Sequence, residues 1–358
     1  MRILHLSHAG LPDERIERSA WSSRSIGEEV HFAGPRCYGL SLPSDPFTTK
    51  SELGFGLLSN LGEPISSGRL VRRGKQIVVR VRPDLIHAHD IFAGRLAVKL
   101  GVPFVYDDHE YWSKEVLADS GALDPVSAYK RLLWSSWEDD VLNAAQAVIT
   151  VSEGIAEEHR RKNRRVFVVP NFPRSVEVEG FAIPGPMSHK IASVYVGSCT
   201  PPFMRFRDTS GFTDLFREKQ VGTLKVIGDD LLRTVPPVFS LGRLSHHAMM
   251  QEVSRCQVGL IPWRKHWFHH YCNPNKAYEY AHAGCLVMVT STLEQVRRTL
   301  SDLCLTFEDY NSMASLLADV ASRPEESVER RKNTQEFAKH NLIWDKFDSR
   351  VNEAYRTQ

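Results

Sequence analysis

Lys276 and Glu279 stand three residues apart in the run Asn273-Pro274-Asn275-Lys276-Ala277-Tyr278-Glu279-Tyr280-Ala281-His282-Ala283-Gly284. On a helix this spacing puts both on one face, with Ala283 one turn further along. Pro274 suits the start of such a helix, and Gly284 suits its stop. The apolar run 285–289 that follows reads as a parallel strand covered on both faces. A helix N-terminus presents free N–H groups and a partial positive charge, so it attracts phosphate. Lys276 adds a full charge at that end, beside Asn273 and Asn275. Glu279 can accept two hydroxyl hydrogen bonds, as from a ribose. By themselves the two residues more often mark a capped, salt-bridged surface helix, and the rest of the chain changes that weighting.

A second group of chemically able residues lies in the first half. In Pro83-Asp84-Leu85-Ile86-His87-Ala88-His89-Asp90, the two histidines alternate by two and share one face of a strand. The next strand, 104–106, runs into Asp107-Asp108-His109-Glu110. In open parallel sheets ligands bind beyond the carboxyl ends of strands, where both clusters fall. Histidine and aspartate are also metal ligands, but hydrogen bonds and substrate contacts explain them more simply, so no metal is expected. The run Trp263-Arg264-Lys265-His266-Trp267-Phe268-His269-His270-Tyr271 is basic and aromatic. It reads as a ligand-site loop whose rings stack on a base or sugar, with plain packing of Trp263 and Phe268 as the alternative.

Elements must position these groups. The 358 residues suffice for two domains with separate cores. Charged residues make up 25% and the net charge is +2, which does not indicate a dedicated nucleic-acid binder. Six scattered cysteines, with no C-x-x-C pair, read as buried thiols in a reducing compartment. The chain opens on a strand-like run with no signal-peptide pattern. No apolar run approaches the roughly 18–20 residues needed to span a membrane. A cytoplasmic location is expected, with room for peripheral attachment.

The first half alternates strands and helices: a strand at 3–6, a turn at 10–12, a helix over 13–26 and a strand at 30–32. No G-x-G-x-x-G fingerprint is present. Residues 34–66 read as loop. Residues 68–82 hold six basic residues and no acid among aliphatics. They read as an amphipathic helix on the sheet, or as a basic face toward anionic lipid or a phosphorylated acceptor. Strands at 147–151 and 166–169 complete this half, with a helix at 127–142 before them. Residues 173–188 form the expected linker between an N-terminal domain, 1–172, and a second domain, 189–340. The second half repeats the pattern with strands at 191–196, 224–228, 258–262 and 285–290. Three helices close the chain near 310–321, 325–339 and 343–356. The last carries Trp344, Phe347 and Val351 as an apolar stripe.

At this point the chain resembles the GT-B glycosyltransferases of the large retaining group, family 4. The likeness rests on six pieces in order: Pro12 to Ile16 with Gly27 to Val30, Pro83 to Asp90, Tyr106 to Glu110, Ala147 to Ser152, Val168 to Asn171, and Pro274-Asn275-Lys276-x-x-Glu279-Tyr280-x-x-Ala283-Gly284. The fold class it implies is α/β, two Rossmann-like doubly wound domains facing each other across a cleft. The C-terminal helix, 341–358, is expected to cross back to the N-terminal domain. The implied activity is transfer of a sugar from a nucleotide-diphosphate sugar to a surface glycan, a glycolipid or a small molecule, with retention. No metal or bound cofactor is called for.

By the same resemblance Glu279 holds the ribose, and Asn273, Asn275, Lys276, Tyr280, Gly197, Ser198, Arg205 and Arg207 line the donor site. His109, with Asp108 and Glu279, stands at the reaction centre. Gly10, His87, His89, Asp90 and Glu110 lie on the acceptor side. Two departures stand out. Tyr271 replaces a glutamate common eight residues before the ribose-binding one. The phosphate-binding basic pair after the first strand of the second domain is replaced by Gly197-Ser198-Cys199 and the Arg205/Arg207 loop. Together they leave the stereochemistry open: an inverting enzyme would need a base, which His109, Asp108 or Asp90 could supply. A sugar-nucleotide epimerase and a non-catalytic nucleotide-sugar binder remain the rival readings.

Overall fold

A computed structural model describes residues 1–25, 29–55, 64–120, 124–181 and 191–356. The chain divides into two compact units, one of residues 1–170 with 344–358 and one of residues 171–343. The return to the first unit therefore comes at Trp344, after the helix Pro324–Asn341 has ended in the second. Of the expected linker, residues 182–188 lie outside the described residues, as do 26–28 and 56–63 of the opening half.

The first unit is built on seven parallel strands: β1 (Arg2–Ser7), β2 (Glu29–Gly34), β3 (Thr49–Glu52), β4 (Leu85–His89), β5 (Phe104–Asp108), β6 (Ala147–Thr150) and β7 (Val166–Val168). Their order is β3-β2-β1-β4-β5-β6-β7. Residues expected to be loop supply two corrections here. Thr49–Glu52 adds an edge strand, and the helix expected at 68–82 begins earlier, as Pro64–Val81. The register sets His5 beside His87, and then Ser7 beside His89 and His89 beside Asp107. One sheet face, with Leu4, Leu6, Ile86, Ala88, Tyr106 and Val148, is covered by helices that contribute Ile77, Leu96 and Val141. On the other, Ile3, Leu85, Val105, Ala147 and Ile149 meet Trp344, Val351, Ala354 and Tyr355 of the returning C-terminus. The Trp344 indole donates to the Ser22 hydroxyl at 2.8 Å, which locks the return against the helix Glu14–Arg24.

The second unit has six parallel strands: β8 (Ala192–Val196), β9 (Thr223–Ile227), β10 (Val238–Ser240), β11 (Val258–Ile261), β12 (Leu286–Thr290) and β13 (Cys304–Phe307), in the order β10-β9-β8-β11-β12-β13. The organising helix is Asn275–His282, with Pro274 as its cap residue rather than its first helical one. Gly284 ends it at φ +74°, a left-handed conformation that glycine adopts at no steric cost. Gly259 of β11 lets this helix lie close to the sheet: a Cβ there would fall 2.2 Å from the Tyr280 ring. Tyr280 cannot swing aside freely, because its hydroxyl accepts from the Val196 N–H at 2.8 Å. Among the described residues no helix is long and apolar enough to cross a membrane.

Candidate functional site

Each unit carries its own cluster of chemically able groups. In the first, the strand ends bring His5, His87, His89 and Asp107 onto one face. Asp13 caps the helix Glu14–Arg24 by accepting from the Ile16 N–H, and this aims Arg15 at the sheet. Arg15 donates to both Asp107 carboxylate oxygens, the shortest contact being 2.7 Å, and to the Val169 carbonyl at 2.9 Å. Its guanidinium lies 5.4 Å from the centre of the Trp344 ring. His87 bridges Asp107, at 3.1 Å, and the Tyr355 hydroxyl, at 2.7 Å. His89 lies between His109, at 3.1 Å, and His5, at 2.9 Å. His109 is the partly open end of the cluster, its side chain 14% exposed.

Electrostatics follow from this packing. Burial alone would push the Asp107 carboxyl up, but the Arg15 guanidinium and the histidines around it hold it well below the usual carboxylate range. Burial disfavours a charged His109, yet Asp90 and Asp107 overcome it and push the ring up to about 9. Burial lowers His5, His87 and His89. Burial also pushes Asp90 up to about 7, against the pull of His109.

Three expected roles change with this geometry. Asp108 is fully buried and held by the Tyr106 hydroxyl at 2.7 Å and by His159 at 2.7 Å, so it has no access to a substrate as a base. His87 and His89 are fully buried and bonded to side chains, so they support the cluster rather than touch an acceptor. Asp90 accepts from the His109 N–H at 3.1 Å and so positions it. Glu110 and Gly10 are half-buried in the loops beyond β5 and β1. A Cβ on Gly10 would meet the Arg36 carbonyl at 3.0 Å, so the chain passes closely there.

In the second unit Lys276 and Glu279 share a helix face as expected. The Lys276 ammonium lies 4.9 Å from the Tyr195 ring centre and 5.3 Å from that of Trp263. Cation–π attraction therefore holds it, and among the described residues no carboxylate pairs with it. Gly197, at φ +147°, makes room: a Cβ there would fall 2.6 Å from the Tyr195 hydroxyl and 3.1 Å from Lys276 Nζ. Arg207 lies over the Phe206 and Trp263 rings, at 5.2 and 5.7 Å, and its charge, after burial, depresses Lys276. Arg205, in the same short turn, is exposed.

Glu279 is buried, with His246 Nε2 3.1 Å from its Oε1. Ser245 caps the helix His246–Ser254, which puts His246 at that helix's N-terminus. Asn275 stands in the first turn of the organising helix, and Asn273 accepts from the Tyr278 hydroxyl. Tyr280 differs from expectation: it is fully buried and supports β8 from beneath, so it does not touch a donor. Ser198 lies 3.2 Å from Asp229, whose carboxylate also accepts from the Cys199 and Thr200 N–H groups at 2.7 and 2.8 Å. Those N–H groups are thus engaged within the protein. The aromatic loop is mostly packing: Trp263 and Phe268 are 3% exposed, and His269 is buried between Thr292 and the Phe206 carbonyl. Only Trp263 presents its ring to Lys276.

Sequence reasoning missed Arg15, His5, Tyr355, His246 and Asp229 as parts of these clusters, and it gave Asp107, though in the cluster, no role. His5 carried a signal: like His87, it sits two residues before the end of a strand. The other partners come from distant segments and left no local pattern.

Residues 27–172 match the family model described as Glycosyltransferase Family 4. A comparison with curated protein sequences gave no match. Among solved structures, the sucrose-phosphate synthase from Thermosynechococcus elongatus is similar over 99% of this chain and 98% of its own, at 15% identity and a TM-score of 0.72. The Anabaena protein HepE in complex with UDP is similar over 99% of both chains, at 12% identity and TM-score 0.67. An E. coli structure described as trehalose-6-phosphate bound with UDP-2-fluoro glucose covers 99% of both chains, at 11% identity and TM-score 0.66. The match to this family model lies at residues 27–172, and the two doubly wound parallel units have the GT-B fold of these solved structures.

Proposed function

We propose that the protein transfers a sugar from a nucleoside-diphosphate sugar to an acceptor hydroxyl, with retention and without a metal. The observation that carries this is the Lys276 ammonium, framed by Gly197, Tyr195 and Trp263 and one helical turn from the Glu279 carboxylate. A carboxylate suits ribose hydroxyls, and a cation beside a helix N-terminus suits a diphosphate. When the sugar leaves, negative charge grows on a phosphate oxygen, and Lys276, Arg207 and the first-turn N–H groups stabilise it. UDP or a UDP-sugar in two of the similar solved structures supports this kind of donor.

His109 serves best as a donor of a hydrogen bond to the sugar or acceptor. A ring pushed up to about 9 is charged at neutral pH and is a poor base. With Asp108 sealed in the core and the Asp90 carboxylate engaged by the His109 backbone N–H and ring, the first unit offers an inverting reaction little help, and retention is favoured. The acceptor is a sugar, lipid-linked or small-molecule hydroxyl.

Calorimetry with UDP, GDP and ADP and with their sugars tests the donor reading. One nucleotide should bind, and at about 100 times Kd it should stabilise the fold by about 2.7 kcal/mol. Glu279→Ala should abolish that stabilisation. Unchanged binding in the variant would remove Glu279 from the ribose, and no binding by any nucleotide would remove the whole reading.

The helix Pro64–Val81 extends the proposal to a surface. Its outer side exposes Arg69, Arg72, Arg73, Lys75 and Val79, the last 73% exposed, and residues 68–81 contain no acid. Basic and apolar residues together fit an anionic lipid surface. Vesicles containing phosphatidylserine should retain the protein at low salt and release it at high salt. Retention by neutral vesicles alone, or by none, would end this part of the proposal.

A further inference from the structure

The first unit buries more imidazole than the proposed chemistry uses. From the open end, His109 Nε2 meets His89 Nδ1 at 3.1 Å, and His89 Nε2 meets His5 Nδ1 at 2.9 Å. The chain ends at His5 Nε2, which is buried with no hydrogen-bond partner. Each contact needs one donor and one acceptor, so the three tautomers are tied together. With a proton on His109 Nε2, His89 must accept at Nδ1 and carry its own proton on Nε2. His5 must then accept at Nδ1 and carry its proton on Nε2. Taking the proton from His109 Nε2 reverses all three assignments.

The surroundings favour the first arrangement. Asp107 Oδ2 lies 3.5 Å from both His89 Nδ1 and His109 Nε2 and steadies the proton between them. Asp90 Oδ2 lies 3.6 Å from His109 Nδ1, on the other side of the ring. Asp90 reaches this place only because its backbone takes φ +65°, a left-handed conformation that costs a non-glycine residue energy. Arg15, His87 and Tyr355 complete the charged and polar groups behind the cluster, and His8 and Glu110 act by charge on His109 and Asp90.

We propose that His89, backed by His5, is a positioning residue for His109: it fixes which nitrogen of His109 carries a proton and which edge of the ring faces the substrate. This rests on the reading of His109 as the group that meets the sugar or acceptor. The same nitrogens are close enough together, within 4.8 Å, to ligate a metal. The hydrogen bonds account for them without one: His5, His87 and His89 are stacked 4.4 to 5.2 Å apart, and Arg15 already occupies Asp107.

The test uses the full chain labelled with ¹⁵N-histidine. His89→Asn keeps a polar atom near the Nδ1 position, and His89→Phe fills the space without one. His89→Phe should lower the titration of His109 by about one pH unit, as expected when a charged ring loses a hydrogen-bond partner. The basic limb of the pH–rate profile should move with it, and His89→Asn should restore most of both. His5→Phe, which removes the acceptor behind His89, should shift His109 the same way by less, and it gives a reading should Phe at 89 prevent folding. An unchanged His109 titration and tautomer in these variants would overturn the proposal. So would one equivalent of zinc surviving dialysis against chelator, because the ring nitrogens would then be ligands. The spectra need no substrate, so failure of the transferase reading and failure of this one are separately visible.

Discussion

Replacing Lys276 by Met is expected to lower kcat about 10²–10³-fold, the usual loss when one preorganised donor to a developing anion is removed. Methionine keeps the apolar stem against Tyr195 and Trp263, so packing changes little. The same substitution should leave the folded protein as stable as before, or more stable. A buried cation beside Arg207, with no carboxylate ion pair among the described residues and with the Glu279 charge offsetting burial only in part, costs free energy to hold in place. Falling activity with rising stability is the signature of a strained functional group. If activity and stability fell together, Lys276 would be a structural cation, and the donor would have to be held elsewhere. Steady-state kinetics at saturating donor, with thermal unfolding of both proteins, decides between them.

The pH dependence of this group has a definite sign. Burial first, and Arg207 second, push the Lys276 ammonium down to about 7. A bound diphosphate pulls the proton back. Donor affinity should therefore weaken as pH rises above about 7, and binding at pH 8 should take up a proton, visible as a binding heat that varies with the ionisation heat of the buffer. For folding, the unfolded lysine titrates near 10.4. Between about 7 and that value the unfolded chain binds more protons, so this group makes stability rise with pH. Lys276→Met should flatten that slope.

The organising helix was legible because its information is local. Lys276 and Glu279 are three residues apart, Gly284 stops the helix, and the strand that follows is a plain apolar run. The sheets were legible for the same reason, except at their edges. Thr49–Glu52 reads Thr-Lys-Ser-Glu, with no apolar alternation, and Val238–Ser240 spans three residues. Each is paired on one side only, so its sequence is under weak demand for burial.

The histidine cluster was half legible. Alternation correctly put His87 and His89 on one face, but alternation cannot say what covers a face. Tyr355, which bonds to His87, lies 268 residues further on, and Arg15 reaches Asp107 across 92 residues. Asp107 and Asp108 are neighbours of the same type, and strand alternation sends them to opposite sides of the sheet. The side with the histidines belongs to Asp107, through its register with His89. A prediction made on residue type alone had no means to choose between them, and it chose Asp108.

Asp107→Asn is accordingly expected to destabilise the first unit by about 3–5 kcal/mol, the cost of leaving a buried charge without its partner. Arg15 is 5% exposed and Asp107 fully buried, so water cannot replace the lost carboxylate. The Arg15 guanidinium would keep the Val169 carbonyl, at 2.9 Å, and the face of Trp344, neither of which carries a negative charge. The sign with pH follows from the direction of the shift. Asp107 is held well below the usual carboxylate range, so its contribution is fully present above about 4. It is lost as pH falls through the folded value. The gap between the parent and Asp107→Asn should therefore be constant near neutrality and close in acid. Urea unfolding followed by tryptophan fluorescence reads mainly this unit, since Trp21, Trp112, Trp134, Trp137 and Trp344 belong to it and Trp263 and Trp267 to the other. The double variant Arg15→Met with Asp107→Leu should cost less than the sum of the single changes, because it removes both charges at once. Additive losses would mean that the pair is not coupled.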